Sequence, residues 1–130
     1  MIVTPSINFT QPGLARLLDG MEPHELDELA FGVIGFDDDT GVKIYNRTEA
    51  TLAGLSVSNV LGQRFFTNVA PCMNNFMVAQ RFEDAHRLGH ELDATIDYVL
   101  TLRMRPTKVK LRLLSHPGLA LNFVLVDRSR

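Results

Sequence analysis

The sequence predicts an α+β domain built around one antiparallel sheet, and three observations carry that reading. Two short apolar segments, Phe31 to Phe36 and Val42 to Tyr45, flank the turn-forming run Asp37-Asp38-Asp39-Thr40-Gly41. Helix signals fill the middle of the chain. Its last third then alternates apolar and polar residues, as half-buried strands do. At 130 residues, 45% of them hydrophobic and 22% charged, the chain fits a single domain whose core needs no disulfide or metal staple.

The elements follow in order. Leu14, Leu17, Leu18 and Met21 lie three to four apart, with Gly13 and Gly20 as punctuation, so a short helix is expected there. Pro23 suits the first turn of a second helix with Leu26 and Leu29 as its apolar stripe. Two helices this short are marginal alone, so residues 1–28 are expected to form a cap docked on a core of residues 29–130. After the first hairpin, Asn46 reads as a helix N-cap, Glu49 as its N3 acid and Gly54 as the stop. Ser56 can start a further turn that ends at Gly62. Phe65 to Cys72 is an apolar loop, with Pro71 discouraging helix just before it. A longer helix is expected from the repeat Phe76, Ala79, Phe82, Ala85 and Leu88, ended by Gly89. Ile96, Tyr98, Leu100, Leu102 and Met104 mark one strand, Val109, Leu111 and Leu113 the next. The turn His116-Pro117-Gly118 leads into a last strand, Leu119 to Val126.

Charge and composition exclude several functions. The net charge is -2 with both signs dispersed, which gives no bulk attraction to nucleic acid or an anionic membrane. Arg103, Arg105, Lys108, Lys110 and Arg112 form a basic stretch, expected to be a solvated sheet face because no aromatic interleaves it for base stacking. No apolar run approaches the ~20 residues of a membrane span, and Met1 to Gly13 lacks signal-peptide character. One cysteine cannot form an internal disulfide, in keeping with a reducing compartment, so a cytoplasmic location is expected. Counted from Asp37, the twelfth residue is Thr48 and not the glutamate of a calcium loop. His86 and His90 share a helical spacing, but Gly89 between them marks the helix end and no further ligand completes a metal set.

Cys72 is the chief chemical candidate. It is either a buried structural cysteine or a reactive thiol whose loop, just ahead of a helix, offers backbone N–H groups to a thiolate or a thioester carbonyl. A cysteine hydrolase is disfavoured, since His24, His86, His90 and His116 carry no recognisable signature with it. Glu49 is either a capping acid or a functional carboxyl, and Tyr45 either a core residue or a functional phenol.

Three ordered motifs then resemble the photoactive yellow protein family: Tyr45-Asn46-x-x-Glu49, Gly62-x-x-Phe65-Phe66-x-x-Val69-Ala70-Pro71-Cys72, and Met104-x-Pro106-Thr107-Lys108-Val109-Lys110. The resemblance runs from about Leu29 to Val126 with one inserted residue near Gly89 to Leu92. It implies a PAS fold, a central five-stranded antiparallel sheet flanked by helices with an N-terminal helical cap. It also implies a bacterial blue-light receptor, not an enzyme, carrying p-coumaric acid (4-hydroxycinnamic acid) as a thioester on Cys72. In that family Tyr45 and Glu49 would hydrogen-bond the phenolate, and Ile34, Ala53, Leu55, Phe65, Val69, Ala70, Pro71, Tyr98, Leu100 and Met104 would belong to the pocket. Light would drive trans–cis isomerisation and proton transfer from Glu49.

Two departures stand out. The family typically has arginine at the position of Leu55 and threonine at that of Ala53, so a polar lid and one supporting hydrogen bond are missing. The expected partners are the small-molecule chromophore and a downstream signalling protein, without nucleic acid or membrane, the chain being a monomer or weak homodimer. The alternative is a PAS-type module that binds a ligand or a protein without a covalent chromophore.

Overall fold

Leu14 and Leu18, four apart on α1 (Leu14–Asp19), are fully buried, and Leu26 is the buried residue of α2 (Pro23–Leu26), where Pro23 opens the helix. These residues come from a computed structural model that describes residues 7–101 and 106–128. The chain then forms β1 (Gly32–Phe36) and β2 (Val42–Tyr45), joined by the aspartate turn. Asp37 closes that turn by accepting from the Asp39 and Gly41 amides, which makes it a hairpin and not a cation loop. Helix α3 (Arg47–Ala53) and α4 (Val57–Val60) follow, then a π-helical turn at Phe65–Val69, a 3-10 turn at Pro71–Met73, and α5 (Ala79–Leu88). Strands β3 (Leu92–Leu100), β4 (Thr107–Ser115) and β5 (Asn122–Asp127) complete the sheet.

The five strands are antiparallel in the order β2-β1-β5-β4-β3, so the last strand slots between the first hairpin and the β3–β4 pair. Alternation along the strands divides the core in two. One face, with Ile34, Phe36, Leu111, Leu113, Val124 and Val126, packs against the middle helices and turns. The other, with Val33, Leu114, Phe123 and Leu125, is covered by Phe9, Leu14, Leu18 and Leu26 of the helical cap and by Leu29 just after it. Phe36 anchors the first face: it stacks on Phe65 at 5.3 Å and meets Phe66 and Phe82 edge-on at 5.3 and 5.0 Å. This aromatic group fixes the π-helical turn and α5 over the sheet.

Four expectations need correction. Phe76 and Leu88 do not join the apolar stripe of α5; Phe76 is 78% exposed and Leu88 is exposed as well. A strict three-residue repeat drifts around a helix of 3.6 residues per turn, so only its middle members face inward, Phe82 and Ala85 buried and Ala79 packed against the core. Asn75 also accepts from the Met77 and Val78 amides, which holds that stretch in a turn and delays the helix to Ala79. Strand β3 starts at Leu92, earlier than Ile96, and β5 starts at Asn122, later than Leu119. Arg112 does not lie on a solvated face. Its side chain is 5% exposed, and it donates to Asp93 and to the Phe9 and Gln11 carbonyls. Leu102 and Met104 lie outside the described residues.

Candidate functional site

Asn46 organises the site. Its side-chain oxygen accepts from the Glu49 amide at 3.0 Å, which starts α3, and from the Val33 amide at 2.9 Å. Its side-chain nitrogen donates to the Leu26 and Phe31 carbonyls at 2.9 and 3.1 Å. One buried amide thus ties α3 to β1 and to the end of α2. Tyr45 precedes it at the end of β2, with Ile34 opposite in the β1 register. Glu49 follows one helical turn later, so the phenol and the carboxyl are held at one corner of the sheet.

The expected capping box is only half formed. Asn46 caps the Glu49 amide, but the Glu49 side chain turns to Arg128, whose two terminal nitrogens donate to its two oxygens at 2.7 and 3.0 Å. The carboxylate packs on β1 where Gly32 has no side chain; a Cβ there would overlap Glu49 Oε1. Burial pushes the Glu49 carboxyl above the ordinary carboxylate range, with the Arg128 hydrogen bonds and charge pulling it back. Burial likewise raises the Tyr45 phenol, and the nearby Glu49 charge adds to it. Tyr45, Glu49 and Arg128 form one electrostatic unit.

Cys72 is a free, half-buried thiol in the 3-10 turn, and it packs against the same core face as Tyr45. Its backbone is clamped from β3. Tyr98 Oη donates to the Cys72 carbonyl at 2.6 Å, and Asn75 Nδ2 donates both to that carbonyl, at 3.1 Å, and to Tyr98 Oη, at 2.6 Å. Strand β3, through Tyr98, and the Asn75 turn therefore lock the loop that carries the thiol.

Ile34, Phe65, Ala70 and Leu100 are buried in this core face, and Leu55, Val69 and Tyr98 pack against it. Ala53 is buried on α3, outside that cluster. Pro71 is exposed at the first position of its turn, and Met104 is not among the described residues. A cavity of about 390 Å³ between α2, β2 and α4 reaches Tyr45 past Leu26, Val57 and Leu61, but not Cys72. No group of three or more metal-ligating side chains gathers among the described residues, and no described helix is long and apolar enough to cross a membrane.

Sequence reasoning missed Arg128 and Asn75. Arg128 was within reach: strand alternation carries the inward face from Val124 and Val126 to it. Asn75 left a weaker signal, an Asx residue just ahead of the helix start.

The site brings a lone thiol in a clamped loop and a buried phenol onto one core face, with the Glu49 carboxylate beside the phenol. No family model matches the chain. A photoactive yellow protein from Rhodothalassium salexigens is 35% identical over 107 residues, 82% of this chain and 85% of that protein. The photoactive yellow protein domain of the sensor histidine kinase Ppr from Rhodospirillum centenum superposes with a TM-score of 0.78 at 36% identity, covering 85% of this chain and 96% of that one. A PAS domain of an HTR-like protein from Haloarcula marismortui shares the fold alone, at 13% identity and TM-score 0.58 over 89% of this chain and 97% of that one. The chain has the PAS fold and belongs to the photoactive yellow protein family.

Proposed function

We propose that the protein is a blue-light receptor that carries p-coumaric acid as a thioester on Cys72. The observation that supports this most is the clamped, half-buried thiol packed against the same core face as Tyr45, within the loop motif shared with the family. When bound, the group supplies visible absorption and a light-driven trans–cis isomerisation.

The chain's own residues do the rest. Tyr45 and a protonated Glu49 donate hydrogen bonds to the phenolate end, which a buried anion requires. Ile34, Phe65, Val69, Ala70 and Leu100 exclude water, and Leu55 supplies an apolar lid. Met104 is assigned to the same pocket on the resemblance alone. A second negative charge beside Glu49 raises its proton affinity beyond what burial already does, so it is neutral in the dark. In the signalling state Glu49 would pass its proton to the phenolate oxygen it had donated to and become a buried carboxylate.

Helix α3 also explains how that change reaches the cap. Asn46 bonds the Leu26 carbonyl, Thr48 Oγ1 donates to the Leu29 carbonyl at 2.6 Å, and the Arg47 amide donates to Asp27. A shift of Glu49 thus strains the hydrogen bonds that seat the cap, and a signalling partner would read its release.

The test is reconstitution with an activated 4-hydroxycinnamoyl derivative, followed by intact mass and an absorption spectrum. One coumaroyl group and visible colour are expected in the wild type and neither in Cys72→Ala. Colour that survives in Cys72→Ala after denaturation overturns the assignment. The cavity that reaches Tyr45 without reaching Cys72 favours a second reading, a PAS-type module holding a ligand non-covalently. A wild-type chain that gains no covalent mass yet binds the free acid would establish it.

A further inference from the structure

The pairing of Glu49 with Arg128 lies outside the photochemistry above. Arg128 follows β5 two positions beyond Val126, on the face that Val126 buries. Its side chain is 15% exposed and that of Glu49 3%, so the contact is shielded from water. Both carboxylate oxygens are taken, at 2.7 and 3.0 Å, by the fork of one guanidinium. Such a fork recognises an ionised carboxylate, because a protonated one would turn its own hydrogen toward a group that only donates. Among the described residues, the titratable and charged side chains facing Glu49 are Tyr45 from β2 and Arg128 from the end of β5, while β1 presents Gly32. Arg128 is therefore the cation that bears on this carboxyl.

We infer that Arg128 is the receiving site for the ionised Glu49 carboxylate, a positioning residue that holds it once its proton has left. The inference rests on the photoreceptor reading of Cys72, Tyr45 and Glu49. Glu49 then has two seats: a neutral one, donating to the phenolate, and an anionic one, accepting from Arg128. The buried charge created in the signalling state is paired and not orphaned, which prolongs that state. It also ties α3 to the C-terminal end of β5, a second route by which the chain can report the change.

Two readouts on the full chain separate this inference from the reading beneath it. The first uses protein expressed without chromophore and follows the Glu49 carboxyl by infrared titration, assigned through Glu49→Gln. Arg128→Gln should move that titration up by more than about one pH unit, and Arg128→Lys, which keeps the charge, should restore most of the difference. The second uses reconstituted protein and times dark recovery after a blue flash. Arg128→Gln should recover about tenfold faster, with Arg128→Lys in between. Circular dichroism establishes that each variant is folded, and Arg128→Lys retains the test if Arg128→Gln is not. An unmoved titration, or recovery that is unchanged or slower, overturns the role of Arg128. Normal colour with an unmoved titration overturns that role alone. A chain that takes no chromophore on Cys72 overturns the photoreceptor reading and the photochemical role of Arg128 with it.

Discussion

Two arginines, Arg112 buried and Arg128 half-buried, serve the two faces of the sheet, and they differ in the surroundings of their carboxylate partners. Arg112 on β4 faces the helical cap and spends its donors on four acceptors: both oxygens of Asp93 and the carbonyls of Phe9 and Gln11. Arg128 beyond β5 faces the other core and meets one carboxylate, Glu49. Asp93 is 42% exposed and can be hydrated wherever the cap goes, whereas Glu49 is 3% exposed and has nowhere to find water. Two of the Arg112 acceptors are backbone carbonyls, which accept whatever the charge on Asp93, so the Arg112 site is a fixed latch. A buried carboxylate can take up a proton, so the Arg128 site can switch. The same side chain serves as a rivet or as a counter-ion depending on whether its carboxylate partner can reach water.

Removing the latch should have the largest effect. Arg112→Gln strands two carbonyls and removes a buried guanidinium, so stability should fall by about 3–5 kcal/mol in urea unfolding. Hydrogen exchange should rise first across residues 7–29, where those carbonyls lie. Exchange rising uniformly, with no preference for the cap, would contradict the latch.

Arg128→Gln should cost about 3 kcal/mol at neutral pH in protein without chromophore, and this loss should depend on pH. Burial already raises Glu49, and without the guanidinium its folded-state value rises further. A raised carboxyl favours folding only while protonated. The variant should therefore approach wild-type stability in acid and lose it as pH rises through the folded-state value of Glu49. A loss of equal size at acid and neutral pH would show that Arg128 acts by packing and not by charge.

Tyr98→Phe removes the hydroxyl that clamps the Cys72 carbonyl while keeping the ring, and should cost about 1 kcal/mol. Its sharper readout is thiol reactivity: a loosened loop should let a thiol reagent reach Cys72 faster. Asp93→Asn should be the mildest, under about 1 kcal/mol, since Asp93 is partly solvated and Arg112 keeps both carbonyl contacts. A large loss there would mean that the carboxylate and not the cap holds Arg112.

The same contrast sets what was legible in the sequence. The fold was, because strand alternation, the Asp37–Gly41 turn and the stops at Gly54 and Gly89 are local signals; both glycines adopt the left-handed conformation that ends a helix. That Cys72, Tyr45 and Glu49 share a site was an expectation from the family resemblance; the structure places Cys72 and Tyr45 on one core face. The arginines were not legible in the same way, since their burial depends on partners distant in the chain. Arg112 reads as one more charge in a basic strand until the cap folds over it, and its carbonyl contacts lie about a hundred residues upstream. Asn46 was readable as a helix start, but not as the amide that also stitches Leu26, Phe31 and Val33 together. The strict three-residue repeat around α5 misled, because the eye counts three where a helix turns in 3.6.

The most direct test of the central claim is a light-minus-dark infrared spectrum of the reconstituted protein, recorded in parallel for wild type and Glu49→Gln. The account predicts that illumination of the wild type removes a protonated-carboxyl band and gains carboxylate absorption, and that both changes vanish in Glu49→Gln. The same band loss in Glu49→Gln, or no carboxyl change in a wild type that still photobleaches, would contradict it.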